Sequence, residues 1–579
     1  MKPLNMAKEW KHATIFVLSS LLALGVRAAT WTGANGTDLA DPLNWNGDVY
    51  STEMQFSGDA SLTLGSDADV FRVFGTSGAN RNVTIDLSGH DLGTTADQNS
   101  NRDFWRANGT TFMITNSSAT AATFTQKSSL SLAYADSMGT RLTVSGEKTV
   151  MNGSISYYGG EGCRLDILDG ATLQGTNISL FKNYQTNNVA NGATLSASEF
   201  VCLGCSTTGK PKDGNTGPWH GNLMSVSDAT LSANTLFVAC GQKSGAGAPY
   251  DNIFRADCGA TVTLGYGACI GCGAAATNNQ AFVSGSGTTF SAQRLYVGTR
   301  PYYDNGYSGG VTATMPATNN AFIAENGAKV SVPSYGWVGA GGNSLVVRSG
   351  ADVAFSGILE LSADMTEETI ANAGGRIGSR VEIVGGTLGI SNRIDVCGYG
   401  YPHEVFVGEG GRIDGSVCFR GSGARLVVSN GTAKVKYLQM RYDGSEGSNN
   451  IVRIIGERAY VETVSPTFAD AAATFEFVIP EGGWSAAPFT SSSQPFTLPA
   501  DFTVRFDKAS VKAYKNHLMS QGLSRGTVPL METASWHGIT IDDMSALSAN
   551  LPDGCSLKNE NGVLSVEVKT QKGLIIYCR

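Results

Sequence analysis

Charge is scarce in this sequence. Only 16% of its 579 residues are Asp, Glu, Lys or Arg, and the formal balance is −8. A chain dilute in charge and net acidic lacks the basic footprint of a nucleic-acid binder or of a protein drawn to anionic membranes, so neither partner is expected. Histidine is sparser: six in all, with His90, His220, His403, His517 and His537 scattered and none beside an evident partner. Past residue 28 no apolar run approaches the roughly 20 residues that cross a bilayer, so no integral membrane segment is expected after it. Calcium chemistry is missing too: there is no glycine-aspartate nonapeptide repeat and no cluster of Asp or Asn ligands with arginine nearby. No metal or cofactor is expected.

Glycine is what the chain has in excess, with 72 residues, so turns are frequent. At the N-terminus Lys2, Lys8 and Lys11 precede an apolar run from Ala13 to Val26. Val26-Arg27-Ala28 or Arg27-Ala28-Ala29 then supplies small residues for cleavage. These are the parts of a secretory signal peptide over residues 1–28. Removing that segment, with four basic groups and one acid, takes the formal charge from −8 to −11. The expected location is the medium, the cell surface or the periplasm. Eleven cysteines in an exported chain are compatible with disulfides, and the odd number leaves at least one outside any internal pairing.

Between Leu165 and Met440 a unit recurs: a short apolar strand, a Gly or Gly-Ala turn, and a second strand. Gly170 and Gly192 stand 22 residues apart, each followed by Ala-Thr-Leu, and related turns recur at Gly259, Gly287, Gly327, Gly350, Gly386, Gly410 and Gly431. A period of this size marks a stacked architecture in which each coil buries its apolar face against its neighbours. Aligned on that glycine, Leu165, Phe254, Phe282, Phe322, Leu345, Val381, Val405 and Leu426 share one offset, and Val347, Ile383, Val407 and Val428 another two residues on. Strand side chains alternate faces, so both sets point inward. Arg380, Glu404 and Arg425 then form an alternating-charge column outside, and Asn252, Gln280, Asn320 and Asn343 an amide ladder at a corner.

The fold expected is all-β, a right-handed parallel β-helix (β-solenoid) over residues 141–464. Residues 29–140 supply a β-rich cap and first coils, and 465–579 a separate β-rich domain covering the last coil's open edge. In that domain Val511, Tyr514 and Leu518 share one face of a helix. Insertions fall at one place in the coil, before Asn222, Asn252, Asn319 and Ser379. Loops confined to one corner project from one face, where repeat proteins often bind.

Candidate chemistry is thin. Cys202-x2-Cys205 and Cys269-x2-Cys272 have knuckle spacing but begin 67 residues apart, too far for one zinc site. Their shared place in the coil reads as inherited repeat chemistry, core thiols or inter-coil disulfides, and Cys555 with Cys578 is a further candidate pair. Gly306-Tyr307-Ser308-Gly309-Gly310 matches G-x-S-x-G without the strand-turn-helix context of a nucleophile elbow. Glu360 and Asp395 occupy corresponding strands of neighbouring coils, a spacing of about 4.8 Å that suits a retaining glycosidase pair or simply an outer strand face. Trp219, Tyr302, Tyr303 and Tyr307, on insertions of one face, are candidates for stacking on sugars or for packing their own loops.

The opening TWTGANG...DPLNWNG and the iterated LYVG...NNAFIAENGAKVSV and LVVSNGTAKV units resemble secreted bacterial proteins with autotransporter-type or PEP-CTERM-associated β-strand repeats, over residues 30–460. The resemblance implies a long, passenger-like exported solenoid of surface or adhesive character. Its partners would be polysaccharide, extracellular matrix or another surface protein. The competing expectation is a carbohydrate-binding or carbohydrate-active β-helix using Glu360, Asp395 and the insertion face.

Overall fold

A computed structural model describes residues 29–50, 53–73, 80–95, 109–127, 130–131, 138–156, 161–180, 182–204, 219–239, 249–272, 275–298, 317–362, 377–397, 401–440, 448–468, 472–534 and 538–570. The signal segment 1–28, Cys205, Tyr302, Tyr303, Tyr307, the G-x-S-x-G match and Cys578 lie outside these residues. By contact the chain divides into two units, residues 1–176 with 192–195, and residues 177–191 with 196–579.

In the first unit, Ala29–Trp31 pairs antiparallel with Trp45–Asn46, setting Trp31 opposite Trp45 with ring centroids 5.0 Å apart. The Trp45 indole N–H donates to Leu39 O at 2.8 Å, so the buried ring keeps its polar atom satisfied. Two parallel ladders follow. One stacks Ala60–Thr63, Asn82–Asp86, Thr111–Thr115, Arg141–Ser145 and Arg164–Leu168. The other stacks Ala68–Val70, Leu92–Thr94, Ala122–Thr125 and Thr149–Asn152. Weak alternation in this stretch therefore already encodes coils, with Phe112, Ile114, Leu142 and Val144 buried on the inner face.

The second unit is a parallel β-helix. One sheet runs coil by coil through Leu223–Ser227, Ile253–Asp257, Gln280–Ser284, Ala321–Glu325, Ser344–Arg348, Arg380–Val384, Glu404–Val407 and Arg425–Ser429. The other carries Thr230–Val238, Thr261–Ile270 and Thr289–Val297, whose long strands shift register midway. In later coils the same span is two strands, such as Lys329–Val332 and Tyr335–Gly339. The short strand after each turn thus leads into the next coil's first strand around a corner.

The predicted core columns hold with one correction. Phe254, Ala281, Phe322, Leu345, Val381, Val405 and Leu426 stand in register, all buried. Phe282 is not among them: it pairs with Arg255 and Ile323 on the outer face, where the Arg255 guanidinium lies 5.4 Å from its ring. Gln280 moves with it, and the amide ladder takes Asn279 instead. The turn of this coil, Gly285-Ser286-Gly287, is one residue longer than Asn326-Gly327, so counting back from the glycine slips by one position, which exchanges the two faces of a strand. The charge column is present, with Arg380 opposite Glu404 and an ion pair at 3.2 Å.

The ladders do not stop at residue 464, which falls inside the strand Tyr460–Thr467. Ala472–Val478 and Thr503–Phe506 extend one sheet, and Phe489–Ser491 and Arg525–Thr533 the other. Phe468, Phe475, Phe489 and Phe502 fill this end, with centroids 5.2–5.5 Å apart for the closest pairs. The helix α1, Lys508–Ser520, starts at Asp507, whose side chain accepts the Ser510 N–H, and buries Val511, Tyr514 and Leu518 as its periodicity predicts. Antiparallel pairing closes the unit, Arg525–Thr533 with Val563–Lys569 and that strand with Cys555–Glu560. Among the described residues no helix is long and apolar enough to cross a membrane.

Candidate functional site

The insertions leave from one stacked edge and return at another, and a column of buried amides joins the two. Asn222, Asn252, Asn279, Asn320 and Asn343 are at most 1% exposed. Each carboxamide N–H donates to the next carboxamide oxygen, at 2.7, 2.9, 2.9 and 2.9 Å along the series. The same oxygens accept the backbone N–H of the preceding Asn. Where the insertions return, Asn252 donates to Trp219 O, Asn279 to Pro249 O, Asn320 to Ala276 O and Asn343 to Ala317 O, at 2.9–3.2 Å. Where they depart, Gly204, Gly271 and Gly298 have φ of +65°, +62° and +83°, and a methyl group on them would overlap the carboxamides of Asn252, Asn320 and Asn343. Glycine suits these three strand ends because it takes that backbone without strain and leaves room for the carboxamide.

The departing ends stack as Gly204 N–H on Leu180 O, Ala239 N–H on Leu203 O, Gly271 N–H on Val238 O and Gly298 N–H on Ile270 O. The returning ends stack as isolated parallel bridges from His220 to Tyr250, Thr277 and Thr318. Here the His220 and Tyr250 rings stack nearly parallel with centroids 4.4 Å apart, and the exposed Tyr184 is edge-on to His220. Trp219, a predicted contact residue, lies at this corner but is 5% exposed.

In later coils the amide position is held by Ser379 and His403. His403 is fully buried, its Nδ1 accepting the Ser379 N–H at 3.0 Å, and burial lowers its pKa to about 4. Neutral imidazole with Nδ1 as acceptor thus stands in for a carboxamide oxygen.

Glu360 and Asp395 are brought opposite each other on neighbouring strands, as predicted. Neither has the surroundings of a solvated strand face. The Tyr335 hydroxyl donates to Glu360 Oε2 at 2.6 Å. Asp395 is 2% exposed and held by Arg393 at 2.8 Å and Arg420 at 3.3 Å. They belong to one outward column, Phe237, Cys269, Tyr296, Trp337, Glu360, Asp395, Cys418 and Gln439. Burial pushes the Tyr296 hydroxyl up to about 12, and burial followed by the Glu360 and Asp395 charges raises the Cys397 thiol further still. Tyr335 and Arg420 escape a sequence reading because their partners, Glu360 and Asp395, come from different coils.

Among the described residues Cys163, Cys202, Cys258, Cys269, Cys272, Cys397, Cys418 and Cys555 form no disulfide with one another. Cys202 packs with Phe200 and Phe237, and Cys272 donates weakly to Tyr296 O. Among the described residues no group of three or more His, Cys, Asp or Glu is arranged to hold a metal. Comparison of the chain with protein-family models, with curated proteins and with solved structures finds no match.

Proposed function

We propose that this chain is an exported, non-enzymatic β-solenoid, similar in kind to passenger-like surface proteins, that meets its surroundings through loops carried on one corner. The observation that carries the reading is the amide ladder, which fastens the bases of successive insertions to a rigid stack while leaving loop sequence free to vary. The low-charge, acidic surface favours neutral or cationic partners such as a polysaccharide, extracellular matrix or another surface protein. The mature chain is expected to bind such a surface, and replacing residues 299–316 by a short Gly-Ser linker is expected to weaken binding without changing the melting temperature. Undiminished binding by that variant overturns the loop reading.

One observation favours a second reading, carbohydrate-active rather than adhesive. Glu360 and Asp395 share a column with Tyr296 and Trp337, which sets two carboxylates beside two aromatic rings. Saccharide turnover by the mature chain, lost on Glu360→Gln, would replace the first reading with this one.

A further inference from the structure

Past Asp395 the outward column continues to a thiol and a carboxamide. Register sets Cys418 opposite Asp395 on one side and opposite Gln439 on the other. Cys418 Sγ donates to Gln439 Oε1 at 3.2 Å. Cys418 is 2% exposed, and Gln439 is half-buried. A thiol against the oxygen of a primary carboxamide is close to the group's carbon, since the two atoms are one bond of about 1.2 Å apart. From this contact we propose that Cys418 and Gln439 close an intramolecular thioester, which makes the column a covalent trap for primary amines.

The step balances without an oxidant or reductant. Cys418 Sγ adds to Gln439 Cδ, the Cδ–Nε2 bond breaks, and the thiol proton leaves with the nitrogen as ammonia. Dilution of ammonia into solvent draws the exchange forward. Strand register supplies the proximity that makes such an addition effectively unimolecular. Arg420 stands two residues beyond Cys418 on the same strand and therefore on the same side. The nearest carboxylate, Asp395, is compensated by both Arg393 and Arg420. Attack by an amine at Cδ leaves an N-substituted glutamine at 439 and returns Cys418 as the thiol.

The bond does not depend on the surface-contact reading, although a thioester on a solenoid that meets surfaces makes the captured amine one belonging to that surface. Whole-protein mass of the mature chain, purified in amine-free buffer, tests it. The expected mass is about 17 Da below that of the sequence, and methylamine should raise it by about 31 Da. Both changes should vanish in Cys418→Ser and Gln439→Ala, with unaltered circular dichroism. An unshifted mass in fresh wild-type protein, with Cys418 fully alkylated after unfolding, overturns the proposal, as does a shift that survives in Cys418→Ser. Loss of surface binding with the mass deficit intact counts against the surface reading alone; binding without the deficit counts against the thioester alone.

Discussion

Asn320 Nδ2 donates to Asn343 Oδ1 at 2.9 Å, and the same oxygen accepts the Asn320 backbone N–H at 2.9 Å, with both residues fully buried. One carboxamide thereby satisfies a side chain and a main chain of the coil before it. Such a column is stabilising only while complete, because each vacancy strands donors away from water.

Replacement of Asn320 by Ala removes the acceptor of the Asn279 backbone N–H and the donor to Ala276 O. The expected cost is about 2–5 kcal/mol, from two or more unsatisfied buried groups. Gln280→Ala, one residue off the ladder, should cost under about 1 kcal/mol. Urea denaturation of the two variants compares them directly, and equal losses would argue against the observed register.

The same register separates two phenylalanines. Phe322 is fully buried, 5.2 Å from the Phe290 ring, so Phe322→Ala should lower stability by about 3–5 kcal/mol. Phe282 lies outside under Arg255, and its truncation should cost about 1 kcal/mol, on the scale of an exposed cation–π contact. Thermal melts suffice.

Acid should weaken the coil at His403. Its folded pKa is depressed to about 4 from an ordinary 6.5, so between those values the unfolded chain binds the extra proton. Stability is therefore full above pH 6.5 and falls as pH drops toward 4, by about 2 kcal/mol at pH 5. His403→Asn, which restores the carboxamide of neighbouring coils, should remove this part of the slope. A wild-type and variant with parallel stability curves from pH 5 to 7 would refute the assignment.

Asp395→Asn leaves Arg393 and Arg420 without their shared counter-ion in a site where Asp395 is 2% exposed. The expected loss is about 3–5 kcal/mol. Glu360→Gln keeps an acceptor for the Tyr335 hydroxyl and should cost about 1 kcal/mol. Chemical denaturation at low and high salt distinguishes the pair.

Much of this molecule was determined by sequence alone. Glycine-anchored recurrence of Leu345, Val381, Val405 and Leu426, with Val347, Ile383, Val407 and Val428 two residues on, specifies stacked coils because a strand's period of two puts both columns on one buried face. Insertion ends before Asn222, Asn252 and Asn319 likewise specify the loop-bearing corner. Pairing decided what glycine counting does not reach. Hydrogen bonds between strands, not distance from a turn, set which residues meet, so the longer turn at Gly287 moves Phe282 outward and brings Asn279 into the ladder. Strands that run one residue further before their glycine hide the column from Tyr296 through Trp337 and Asp395 to Cys418 and Gln439. Each neighbour in that column lies a full coil away along the chain, and only stacking puts them side by side.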